Sequence, residues 1–177
     1  MTPLIAYPTG DEYPEFFTGY IGQLRNQPDV IAALEQQRSV IAALAAVPDE
    51  RASYRYADGK WSVKEVVSHM TDAERIFSYR LLRIARGDET PLPAFDENKY
   101  VASSHAADRQ LSDLASEMAV VRDSSLALVR SLDARDLDNR GMVRAGAISA
   151  RASVFVLAGH FAHHANILKE RYRINLP

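Results

Sequence analysis

Apolar residues recur every three or four positions along four long segments of this chain, and no strand-like alternation appears outside the stretches that connect them. A helix turns once in 3.6 residues, so each segment carries one apolar stripe that must be buried against another. Four such stripes are satisfied together in an all-α, four-helix bundle, and that is the expected fold class.

The first segment starts at Asp29 after Pro28, carries Ile31, Leu34, Ile41, Leu44 and Ala45, and is closed by Pro48. The second begins at Ser62-Val-Lys-Glu65, whose hydroxyl and carboxylate form a capping box. Its apolar positions are Val66, Val67, Met70, Ala73, Phe77, Leu81 and Ile84, and Gly87 ends it after about Arg86. The third runs from about Asp108 to Leu132 with Leu111, Leu114, Met118, Val121, Ser125, Leu128 and Leu132 on one stripe, and the fourth from about Ser149 to Arg173. Between the second and third lies a connector from Asp88 to about Ala107, with Pro91 and Pro93, long enough to cross from one end of a bundle to the other. A link with Gly141 and Gly146 precedes the fourth helix, and a proline-punctuated start (Pro3, Pro8, Pro14) leads into a short helical stretch around Glu15 to Leu24.

With 177 residues, 47% of them hydrophobic and 25% charged, the chain is expected to be one domain over residues 1–177, with a lead-in over 1–28. Its 21 Lys+Arg against 23 Asp+Glu are dispersed, which excludes a basic footprint for nucleic acid. No apolar run approaches the roughly 20 residues that span a bilayer, and the start lacks a basic n-region, so a cytoplasmic protein without a membrane partner is expected. Cysteine is absent, leaving His, Asp and Glu as side-chain metal ligands.

The five histidines carry most of the functional information. Residues four apart on a helix lie about 40° apart around its axis and roughly 6 Å along it, so His160 and His164 project like two prongs. They share a stripe with Ser153, Val156, Leu157 and Ile167, and therefore point inward. His69 follows the same rhythm with Val66, Ala73 and Ile76 on the second helix. Three buried imidazoles are costly without a common partner, whereas one ion satisfies a nitrogen on each. The expectation is a single divalent metal held by His69, His160 and His164, with open positions for water or substrate. His163 lies about 100° away from His164 and is expected to flank the site; His105, in the connector, is expected at the surface. Neither the Glu-x-x-His pairs of a di-iron bundle nor the glutamate that follows the first histidine of a zincin is present.

The stretch Gly59-Lys-Trp61-Ser62-Val-Lys-Glu65-Val-Val-Ser-His69, the following Asp72-Ala-Glu74 and Arg80, the segment Leu92-Pro-Ala-Phe-Asp-Glu97, and the late Gly159-His160-Phe-Ala-His163-His164-Ala-Asn-Ile167 resemble the DinB/YfiT-like superfamily. The resemblance implies a crossed four-helix bundle with a long crossover connection, a homodimer, and one zinc or nickel ion on His69, His160 and His164. It also implies either thiol S-transfer with a low-molecular-weight thiol of the bacillithiol, mycothiol or glutathione type, or metal-dependent hydrolysis.

A metal-bound thiol loses its proton by coordination alone, whereas attack by metal-activated water profits from a nearby base, and no inward carboxylate is evident beside His160 or His164 in the sequence. Thiol transfer to an electrophilic small molecule is therefore the leading expectation. Hydrolysis, with Asp72 assisting as a catalytic residue, is the alternative, and a non-catalytic metal-binding or sensing bundle is the third. Trp61 is expected to pack the helix entrance, and Tyr100 or Arg144 to meet a ligand at the bundle mouth.

Overall fold

The computed structural model describes residues 4–27 and 29–177; Pro3 and Pro28, both used above as punctuation, lie outside the described residues. After a 3-10 turn at Glu15–Phe17 come α1 (Thr18–Gly22), α2 (Val30–Leu44), α3 (Asp49–Ala52), α4 (Val63–Ala85), α5 (Glu97–Ser103), α6 (Leu111–Arg130) and α7 (Ala134–Asp138). The strands β1 (Arg140–Val143) and β2 (Gly146–Ser149) precede α8 (Ala150–Glu170). The four expected helices are α2, α4, α6 and α8.

Local chemistry sets their starts. The Asp29 carboxylate accepts from the Ile31 and Ala32 N–H groups of α2. At α4 the capping box forms in both directions, with Ser62 Oγ accepting from the Glu65 N–H and Glu65 Oε2 accepting from the Ser62 N–H at 2.6 Å. Ser149 Oγ caps α8 by accepting from the Ala152 N–H. Gly87, with φ of 72°, turns the chain out of α4 in a left-handed conformation that a side chain would disfavour.

Helix α4 packs against α6 and α8, and α2 also packs against α6 and α8, so α2 faces α4 diagonally and α6 faces α8 diagonally. Directions follow from the contacts. Glu74 meets Arg122 and Ser78 meets Ser125, so α4 and α6 run parallel. His69 meets His164 while Phe77 meets His160, so α4 and α8 run antiparallel. Arg38 meets Asp123 while Glu35 meets Arg130, so α2 and α6 are antiparallel as well. The long connector follows from this order. Two consecutive parallel helices require the chain to travel back along a bundle of roughly 30 Å, which a tight turn cannot do.

Two connectors hold structure that periodicity did not reveal. The link before α8 is an antiparallel hairpin, pairing Arg140 with Ser149, Gly141 with Ile148, Met142 with Ala147 and Val143 with Gly146. It sits tightly on α4: a Cβ at Gly141 would come within 2.6 Å of Ile84 Cγ1. The Leu92 N–H donates to the Met142 carbonyl at 2.8 Å, tying the crossover connector to the hairpin. Within the connector, α5 is capped by Asp96, whose carboxylate accepts from the Asn98 and Lys99 N–H groups.

The core consists of two apolar clusters, one toward Leu34, Ile84, Val129 and Phe155, the other toward Ile41, Val66, Met118 and Leu168. A polar layer separates them. Arg122, fully buried, donates through Nε and Nη2 to both Glu74 carboxylate oxygens at 2.7 Å, and through Nη1 to Gln37 Oε1 at 2.6 Å and the Leu34 carbonyl at 3.1 Å. Gln37 Nε2 donates to the Ala158 carbonyl at 2.9 Å, and the guanidinium lies 4.7 Å over the Phe161 ring. The expected stripes of α2 and α6 are corrected here: Ala45 is exposed at the helix end, whereas Gln37, outside the expected stripe, is inward, and Arg122 occupies the centre of the bundle.

Candidate metal centre

His160 and His164 stand one turn apart on α8, and antiparallel α4 brings His69 against both. Each of the other two Nε2 atoms lies 3.2 Å from His69 Nε2. The donor atoms of the three imidazoles all lie within 4.8 Å of one another. His69 and His160 are buried and His164 is half-buried. Residues 152–161 of α8 are buried all round, because the helix is enclosed by α1, α2, α4 and the hairpin. A single apolar stripe therefore understates its inward face.

Burial is the largest influence on each ring. It lowers His69 to about 4 and His164 to about 3, and holds His160 well below the ordinary imidazole value, with the neighbouring histidines adding to the effect on His160 and His164. At neutral pH all three rings are neutral, the form that donates a lone pair to a metal. The spacing of His69 to each partner fits as well. Two nitrogens each about 2.0–2.1 Å from one ion at tetrahedral angles are roughly 3.3 Å apart, close to the 3.2 Å found for His69 with each partner. A proton can bridge only one pair of these nitrogens, whereas one cation can accept from all three.

The imidazoles form the floor of a cavity of about 600 Å³. Its walls are aromatic, with Phe16, Phe17, Tyr20, Trp61, Phe77 and Phe95, and its polar members besides the three histidines include Arg80, Glu97, Arg144 and His163. Tyr20 comes from α1, which lies directly on α8 because residue 159 is glycine; a Cβ there would sit 2.0 Å from the Tyr20 carbonyl oxygen. That approach sets the Tyr20 ring edge-on to His160 and His163, with centroids 5.2 and 5.4 Å apart. Burial first, and Glu97 second, raise the Tyr20 phenol.

The sequence-derived candidates separate clearly. His163 lines the cavity beside His164, outside the three-nitrogen cluster, and His105 is exposed. Trp61 does more than pack the helix entrance: its ring lies 4.8 Å from that of His69 and forms part of the cavity wall. Arg144 lines the cavity from the hairpin tip, whereas Tyr100 packs on Phe95 and is not part of the wall. Glu74 is taken up by Arg122. Asp72 pairs with Arg75 at 3.4 Å on the α4 surface and is not part of the cavity lining; burial raises its carboxyl.

Glu97 is the group that sequence reasoning missed. It opens α5, lines the cavity, and acts on His69 through its charge, opposing the effect of burial. The signal was present in Leu92-Pro-Ala-Phe-Asp-Glu97, but only the folded connector carries that carboxylate over the histidines. Among the described residues no carboxylate hydrogen-bonds any of the three imidazoles.

Comparison with known proteins agrees with this fold. The family model described as the DinB superfamily matches residues 33–168. A protein of Oceanobacillus iheyensis, named provisionally as a metal-dependent hydrolase, is 28% identical over 123 residues, covering 68% of this chain and 70% of that protein. The solved structure of YfiT from Bacillus subtilis, itself provisionally described as a metal-dependent hydrolase with an unusual four-helix bundle topology, matches with a TM-score of 0.68. The two share 21% identity, and the match covers 94% of this chain and 91% of that one.

Proposed function

The chain belongs to the DinB superfamily, and from that membership and the three converging imidazoles we propose a metal-dependent enzyme that transfers a low-molecular-weight thiol to an electrophilic small molecule. His69, His160 and His164 hold one divalent ion, zinc or nickel, since imidazole suits both. A bound ion lowers the pKa of a coordinated thiol and so supplies a thiolate at neutral pH without a base.

The observation that carries this reading is the surround of the three nitrogens. Tyr20, Trp61 and Phe77 enclose them with ring faces and edges, and no described carboxylate makes a hydrogen bond to any of them. Those aromatic walls offer apolar surface against which the body of a substrate can pack. Tyr20, its phenol raised by burial, stays protonated at neutral pH and offers the cavity an O–H donor. A cytoplasmic homodimer belongs to the same proposal; among the described residues no helix is long and apolar enough to cross a membrane.

A second reading, hydrolysis by metal-activated water, is favoured by Glu97, which lines the same cavity and can take the assisting role that the sequence indicated for Asp72. The name of the Oceanobacillus relative points the same way.

Cobalt substitution separates the two. Titrating the Co(II)-loaded protein with bacillithiol, mycothiol or glutathione is expected to produce a sulfur-to-metal charge-transfer band, lost in His160→Ala. If no thiol gives that band, and esters or amides are turned over without thiol at a rate that Glu97→Gln lowers by about 100-fold or more, hydrolysis replaces thiol transfer. The same rate measured in Asp72→Asn shows which carboxylate assists.

A further inference from the structure

Helix α4 and its C-cap carry four arginines at positions 75, 80, 83 and 86, and their partners differ in one respect. Arg75 pairs with Asp72 and Glu117, Arg83 with Asp88, and Arg86 with Asp136. Arg80 has no described carboxylate within ion-pairing distance. Its Nη2 donates to the Pro93 carbonyl at 2.6 Å, and its guanidinium is flanked by Phe77 and Phe95, 5.9 and 5.7 Å from their ring centroids. It is half-buried and lines the cavity. Burial alone lowers its pKa, with no described anion acting in the other direction.

A partly desolvated cation without a counter-ion is unfavourable in a protein that gains nothing else from it. Here the connector carbonyl and two aromatic rings fix the guanidinium, and among the described residues only one of its five N–H donors is used by a hydrogen bond. A held fork with free donors, facing a cavity, matches the two oxygens of a carboxylate.

We propose that Arg80 anchors a carboxylate borne by the small molecule that enters this cavity, which makes the substrate class an acid whose charged end lies about one aromatic ring from its reacting atom. The distance is bounded by Phe77, which neighbours both: its ring is 5.9 Å from the Arg80 guanidinium carbon and 5.2 Å from the His160 ring. A ligand held by Arg80 runs across Phe77 to reach the three imidazoles. Glu97, in the same cavity, repels such an acid and so limits its affinity.

The inference rests on the reading of the cavity as the substrate site, but it can be tested without the ion and without turnover. Phenylacetate and phenylacetamide share a shape and differ in charge. Titrated calorimetrically into chelator-treated protein at low salt, phenylacetate is expected to bind about tenfold or more tighter than the amide. Arg80→Met, which keeps apolar contact with the rings, is expected to erase that preference to within about twofold, Arg80→Lys to restore part of it, and Glu97→Gln to increase it. Circular dichroism and a thermal melt establish that each variant is folded. Equal binding of acid and amide, no measurable binding of the acid, a preference that survives in Arg80→Met, or one lost only in Arg144→Gln, each overturns the assignment. Because the ion has been removed, failure of the thiol or hydrolytic reading leaves this result unaffected, and failure here leaves the metal chemistry untouched.

Discussion

Gly159 shows how one missing side chain shapes the cavity. Glycine inside a helix costs about 1 kcal/mol relative to alanine, so its place in the middle of α8 calls for a reason. The reason is the Tyr20 carbonyl, which occupies the space a methyl would need. Gly159→Ala is expected to destabilise the fold by about 2 kcal/mol, lowering the melting temperature by roughly 4–8 °C, because backbone cannot give way as the end of a side chain can. Gly19→Ala in α1 is the control: nothing lies within 4 Å of a Cβ there, and it is expected to be neutral or stabilising. Calorimetric melting of the pair checks the argument, and equal melting temperatures would sink it. The same scale explains why the paired histidines of α8 were legible and Glu97 was not. His160 and His164 are placed by the pitch of a single helix, whereas Glu97 reaches the imidazoles only through a connector whose course no local rule fixes.

Among the elements, the telling pair is α4 and α6, parallel neighbours joined by the long crossover. Their apolar seam is interrupted at mid-height by the Glu74–Arg122 pair, which also reaches α2 through Gln37 and the Leu34 carbonyl. A periodicity argument passes over Arg122, because a charge beside the expected stripe reads as solvent-facing. Only its contacts reveal that four helices converge on it. Breaking a buried pair from one side leaves an uncompensated charge, so Arg122→Met is expected to cost about 3–5 kcal/mol. Glu74→Leu combined with Arg122→Met is expected to recover most of that loss, since an apolar pair of similar volume suits the site. Denaturant unfolding of the single and double variants measures the coupling. A double variant no more stable than Arg122→Met would show that the layer's worth lies in its hydrogen bonds to α2 rather than in charge compensation.

For the whole molecule, the homodimer that the family resemblance implies is expected to give a light-scattering mass of two chains, unchanged on dilution; a mass of one chain across the range would remove it. How the chain closes on itself was legible only in part. Helix periods, the Ser62–Glu65 capping box, the Gly87 stop and the inward prongs of His160 and His164 were all readable, because each depends on residues within about four positions of one another. The need for a crossover was readable from the length of the connector. The up-down-down-up order, the hairpin before α8, the aromatic cavity, the unpaired Arg80 and the carboxylate of Glu97 were decided by tertiary structure. Each joins segments tens of residues apart, and their meeting is fixed by how faces pack and by where glycine lets backbones touch, not by any preference that a local stretch of sequence expresses on its own.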